Sequence, residues 1–194
     1  MDACLFNERR ARISFEELIL TYQSELSLYS PEQLHCIPAP GGWSLCQLYD
    51  HLILTTLDYL VQVELCAAAA EERPQGKTEA GEQVFGLGGF PPVKIRLPDG
   101  PENTPCNTHS QESLMRGLDE VLQSMRAWEK KIDTINPHHK VKHDGFGWLN
   151  AQEWFELAGM HFRHHLRQLR EIEGLIGMKP REEGRGRYGS SASG

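Results

Sequence analysis

No apolar run in this 194-residue chain approaches the roughly 20 residues that cross a bilayer. The opening residues, MDACLFNERRARISFEEL, hold three arginines but no apolar core and no small-residue cleavage site, so no secretory leader is read there. The expected compartment is therefore the cytoplasm, with no membrane partner. A CxxC pair is also missing. The five cysteines, Cys4, Cys36, Cys46, Cys66 and Cys106, are odd in number and scattered, which argues against a disulfide framework and a zinc knuckle. Reduced, mostly packed thiols are expected. There is no GxSxG, no P-loop and no GxGxxG after a strand, so serine hydrolase, NTPase and dinucleotide-binding readings lack support.

Positive charge is scarce. Net charge is −7, and the final sixteen residues, KPREEGRGRYGSSASG, hold four basic and two acidic side chains. That tail stands at +2 and the rest of the chain at −9. Such an acidic body repels phosphate backbones, so no nucleic-acid partner is expected. The hydrophobic share of 39% and charged share of 24% suit one globular domain. We place it at residues 1–178, followed by a disordered tail at 179–194.

Four segments carry helical periodicity. The first runs from Ser14 to about Leu28, with Ser14 and Glu17 as a capping box and Phe15, Leu18, Ile19, Tyr22 and Leu26 on one face. Ser30-Pro31 and PAPGG at 38–42 break the chain. The second begins at Ser44, with Gln47 completing the box, and reaches about Glu72 before Arg73-Pro74. The third spans about Ser110 to Ile135, with Ser110 and Ser113 as alternative caps. The fourth starts at Asn150, with Glu153 three residues on, and ends near Ile176. Together they imply an all-α four-helix bundle with a long crossover between helices 2 and 3. That crossover, 74–110, is rich in Pro and Gly and contains a strand-like VKIRL run. Phe85, Leu87, Phe90, Val93, Ile95 and Leu97 make it too apolar for a free linker, so it is expected to pack over one end of the bundle.

Histidine placement is the most specific feature. On the fourth helix, at about 100° per residue, His165 lies about +40° from His161, with Leu157 near −40° and Ile172 near +20°. Arg163, Arg167 and Arg170 fall on the opposite side. His161 and His165 therefore stand inside the apolar stripe, while His164 is at its boundary. On the second helix His51 shares a line with Gln47, Thr55, Asp58 and Gln62, flanked by Leu48, Leu54, Leu65 and Cys66. An i, i+4 histidine pair can ligate one ion, and a third imidazole from a facing helix would complete a three-nitrogen site. Core histidines satisfied by hydrogen bonds are the competing reading. Asp58, Gln168 and His164 are candidates to orient the ligands, with Asp58 preferred over Asp50, whose angular position suggests an exposed or cap-side residue. Trp43 and Trp154 read as core aromatics. His35, His109, His138, His139 and His143 read as loop or surface residues.

Two motifs, GGWSLCQLYDHL at 41–52 and LNAQEWFELAGMHFRHHLRQL at 149–169 with its HxxHHxxQ core, resemble the DinB/YfiT-like family of proposed metalloenzymes. The likeness covers residues 14 to 177. It implies a four-helix bundle that takes one metal ligand from the second helix and two, four residues apart, from the last: His51, His161 and His165. It further implies a divalent ion, with Zn or Ni favoured over Fe, a small-molecule substrate, and frequent homodimers. Characterised members are transferases that use low-molecular-weight thiols such as bacillithiol, mycothiol or glutathione, or thiol-dependent isomerases. The FGLGGFPPVKIRLPDG insert departs from shorter members, so their substrates do not carry over.

Three neutral imidazoles leave an ion its +2 charge and an open position, which leans toward catalysis: an S-transferase or a hydrolase. The alternative is a non-catalytic bundle that binds a small ligand or partner protein, braced by its metal.

Overall fold

Each main helix begins where a side-chain oxygen is free to cap it. The computed structural model describes residues 14–91 and 105–178. Helix α1 is Phe15–Leu26, capped by Ser14, whose Oγ accepts from the Glu17 amide while the Glu17 carboxylate accepts from the Ser14 amide. A short α2, Pro31–His35, follows Ser30, which forms the same reciprocal box with Gln33. Helix α3 is Leu45–Ala68, boxed by Ser44 and Gln47. Helix α4, Glu79–Leu87, lies within the crossover. Helix α5 is Gln111–Glu129, where Ser110, not Ser113, is the cap. Strands β1, Lys140–His143, and β2, Gly147–Asn150, form an antiparallel hairpin that leads into α6, Ala151–Leu175.

Helices α1, α3, α5 and α6 form the four-helix bundle. Its most extensive packing is between α3 and α6. Leu18, Ile19, Tyr22, Leu48, Tyr49, Leu52, Leu118, Leu157 and Phe162 fill the centre. Tyr22 donates to the Phe162 carbonyl at 2.9 Å and Tyr49 to the Tyr22 carbonyl at 2.8 Å. Buried phenols thus keep their hydrogen bonds while their rings pack edge-on. By length and composition α3 is apolar enough to cross a membrane. It also carries Asp50, His51, Asp58 and Glu64, and its inner face is the bundle core.

Two helix ends and a hairpin differ from the periodic reading. Helix α3 stops at Ala68 rather than near Glu72, because Cys66 is its last inward residue and the chain then turns to pair Arg73 N–H with the His138 carbonyl. Helix α5 ends at Glu129, and a 3-10 turn, Ile132–Thr134, buries Ile132 separately. The hairpin at 140–150 gives no periodic signal, because its strands are only four residues long and mix polar with apolar residues.

Part of the crossover adds to this hairpin. Lys77 bridges Gly147, Trp148 N–H donates to the Gly76 carbonyl at 3.1 Å, and Thr78 N–H donates to the Phe146 carbonyl at 2.9 Å. Gly147, at φ +82°, makes the tight turn into β2. Leu87, expected to be covered, is 68% exposed. Val93, Ile95, Leu97 and the tail 179–194 lie outside the described residues.

Candidate metal centre

Two helices that face each other across the core bring three imidazoles together. His51 comes from α3, and His161 and His165 from successive turns of α6. His51 Nε2 and His161 Nε2 are 3.0 Å apart, and so are His165 Nε2 and His161 Nε2. Candidate ligand atoms of all three rings lie within 4.8 Å of one another. His161 and His165 are buried and His51 is half-buried.

The far sides of two rings are held. His165 Nδ1–H donates to Gln168 Oε1 at 2.7 Å. His51 Nδ1 lies 3.4 Å from Thr55 Oγ1. With a proton on Nδ1, each ring presents an Nε2 lone pair, and both lone pairs aim at His161 Nε2. That nitrogen can offer one proton at most. At most one of the two 3.0 Å contacts is then a hydrogen bond, and in the other a lone pair faces a nitrogen with no proton to offer it. Extra protons do not relieve this. Burial pushes His51 down to about 4 and His165 to about 3, against an ordinary 6.5, and His161 well below it. For His161, repulsion from His165, His51 and His164 adds to burial.

A divalent cation would remove the conflict by accepting all three lone pairs. Nitrogens each about 2.0–2.1 Å from a zinc-sized ion can be up to about 4 Å apart, which accommodates the 3.0 Å contacts. One feature departs from the usual ligand pattern: His161 Nδ1 is buried with no hydrogen-bond partner among the described residues.

Around the triad stand aromatic rings. Trp43 lies 4.9 Å from His51, Tyr59 5.9 Å from His161, and Phe90 6.2 Å from His161 and 5.5 Å from His164. His164 is half-buried with its ring edge-on to His165 at 5.1 Å, and burial lowers its pKa. Asp58 does not reach the histidines. It is exposed and accepts from Gln62 at 3.4 Å. Seven residues place it about 10.5 Å along the helix from His51, too far to orient that ring. Asp50, read as exposed or cap-side, is buried. Its carboxylate accepts from Cys106 N–H at 2.7 Å and lies 3.1 Å from His109 Nε2. Gln47 Nε2 donates to the Pro105 carbonyl at 3.1 Å. The polar start of α3 thus binds the returning crossover.

His143, expected in a turn, is the last residue of β1 before that turn and is half-buried. Its Nδ1 accepts from the Gly145 and Phe146 amides, and its ring stacks on Phe146 at 4.4 Å and lies 5.2 Å from Trp154. Thr55 is visible in the sequence as a polar residue one turn from His51. Phe90 and Tyr59 give no signal beyond being aromatic.

The DinB superfamily profile matches residues 15–169, which spans α1 to α6 and all three histidines. The chain belongs to the DinB superfamily. A relative, the uncharacterised protein YuaE of Bacillus subtilis (strain 168), is 26% identical over 165 residues, covering 84% of this chain and 96% of that protein. Among solved structures, TT2238, a four-helix bundle protein, aligns with a TM-score of 0.49 at 16% identity, covering 80% of this chain and 92% of that one.

Proposed function

We propose that this DinB-superfamily protein is a metal-dependent enzyme that transfers a low-molecular-weight thiol to an electrophile, with hydrolysis as the related alternative chemistry. The observation that carries the reading is the convergence of three Nε2 lone pairs that cannot all be satisfied by protons. His51, His161 and His165 would hold one divalent ion, Zn or Ni before Fe, since imidazole ligands suit each of these metals. That ion would supply a +2 charge that favours the thiolate form of a thiol, or lowers the pKa of a water, near neutral pH.

The chain's own residues do the rest. Gln168 Oε1 holds the Nδ1 proton of His165 and Thr55 Oγ1 sits beside His51 Nδ1, so that Nε2 of each ring faces inward. Burial keeps the three rings neutral and therefore ligand-competent. Trp43, Tyr59 and Phe90 keep bulk water from the rings. The homodimer implied by the resemblance and the cytoplasmic setting expected from the sequence belong to the same proposal, and sedimentation velocity reads the first of them.

Deep burial of His161 and His165 favours a second reading, in which the ion only braces α3 against α6. Elemental analysis of untagged protein is the first test. About one equivalent per chain is expected, lost in His51→Ala. Consumption of a thiol with an electrophilic test substrate, abolished in a folded His165→Ala variant, supports the enzyme. A large fall in melting temperature on chelation with no thiol consumed supports the brace.

A further inference from the structure

Phe90 is placed against the triad by devices that leave it little freedom. Helix α4 ends in Gly88 at φ +64°, where the Gly88 amide donates to the Phe85 carbonyl at 3.1 Å and the Gly89 amide to the Val84 carbonyl at 3.0 Å. This left-handed cap turns the chain sharply before Phe90. The helix itself is fixed to the hairpin. Thr78 caps it and donates to the Gly145 carbonyl at 2.8 Å, and Gly81 sits so close to the hairpin that a Cβ there would meet the Phe146 carbonyl oxygen at 2.4 Å. Phe90 then packs on Phe146 at 5.8 Å and edge-on to His161 and His164. His161 is buried while Phe90 is only half-buried, so this ring stands between the triad and solvent. On the His51 side, Trp43 packs against the ring at 4.9 Å.

We infer that Phe90 is the size-selecting wall of the metal centre: it decides how bulky a ligand reaches the ion, and admits small thiols in preference to aromatic ones. The inference rests on the metal reading above. It is separate from ligation, because Phe90 touches His161 and His164 through its ring and offers no donor atom. A wall held by a capped helix and a glycine contact is rigid, so its volume matters more than its motion. Truncating it opens space beside a fixed ion, and enlarging it closes that space.

The test uses full-length protein loaded with cobalt(II), whose visible absorption reports the coordination sphere. Titrate 2-mercaptoethanol and thiophenol into wild type, Phe90→Ala and Phe90→Trp. In Phe90→Ala, thiophenol is expected to bind about tenfold tighter, while the small thiol changes by less than about twofold. In Phe90→Trp, thiophenol weakens and the small thiol is again little changed. Equal shifts for both thiols, or no shift in either variant, overturn the wall. Cobalt bound by all three proteins with equal stoichiometry keeps failure of the wall distinct from failure of the metal reading. Failure of the wild type to bind cobalt overturns both.

Discussion

His165 Nδ1–H donates to Gln168 Oε1 at 2.7 Å, and this one bond decides which nitrogen of His165 faces the triad. The two residues are three apart on α6, so the acceptor lies on the same face as the ring it holds. Gln168→Ala leaves the ring free to rotate or to change tautomer. Losses of about 10–100-fold in metal affinity are typical when such a supporting bond is removed. Competition against a chromophoric chelator should show a fall of that size with the fold intact. An unchanged affinity would mean that core packing alone orients the ring.

Proton linkage gives the metal-free protein a distinctive pH profile. His51 is lowered to about 4 and His165 to about 3 in the folded chain, from 6.5 when unfolded. Between these values the unfolded chain binds protons that the folded chain does not. Stability is therefore fully present above pH 6.5 and is lost as pH falls toward the folded values. Each such histidine contributes a slope of about 1.4 kcal/mol per pH unit. Denaturant unfolding of the metal-free protein between pH 7.5 and 4.5 should show this decline, made shallower by His165→Gln. A profile flat across that window contradicts neutral, buried rings. With metal bound, acid should also release the ion, because protons and metal compete for the same lone pairs.

Helix periodicity places α1, α3, α5 and α6 because each buries a continuous apolar stripe behind a side-chain cap, and those two signals are local. The inward setting of His161 and His165 is legible for the same reason: they share an angle with Leu157 and Ile172 on one rigid cylinder. Asp50 and Asp58 show where local reading stops. Both lie within two turns of His51, and angle alone prefers Asp58. The choice is made by a segment 56 residues away, since Cys106 N–H and His109 come to Asp50, while Asp58 accepts from Gln62 of its own helix and faces His143 rather than His51. Helix α4 and the hairpin are illegible because each is short and owes its stability to the other. Their contacts at Gly81 and Phe146 are 65 residues apart in sequence and leave no periodic trace.

Asp50 accordingly should matter to the crossover and not to the ion. Asp50→Ala leaves the Cys106 amide without its acceptor and removes the partner of His109. Orphaning a fully buried donor costs about 1–3 kcal/mol, and this half-buried one costs less. We expect a lower unfolding midpoint, faster hydrogen exchange at residues 106–109, and metal stoichiometry unchanged. Loss of metal with no change in exchange would instead place Asp50 in support of His51.

Two glycines of α4 offer a paired test of what holds the crossover over the site. Gly81 faces the hairpin, where an added Cβ would meet the Phe146 carbonyl oxygen at 2.4 Å and Lys77 Cβ at 3.0 Å. The first of these is backbone in a paired segment and cannot rotate away. Gly86 is also inside the helix, yet nothing lies within 4 Å of its Cβ position. Alanine should therefore act in opposite directions. Gly86→Ala gains up to about 1 kcal/mol from helix propensity alone. Gly81→Ala forces α4 off β2 and costs on the order of 1–3 kcal/mol, as overpacking does. Because Phe90 follows the same helix, the Gly81 variant should also expose the triad, which chelator access to a bound cobalt ion would read as faster metal loss. The Gly86 variant should leave that rate alone. Faster loss in both, or in neither, would mean that the position of α4 does not govern access to the histidines.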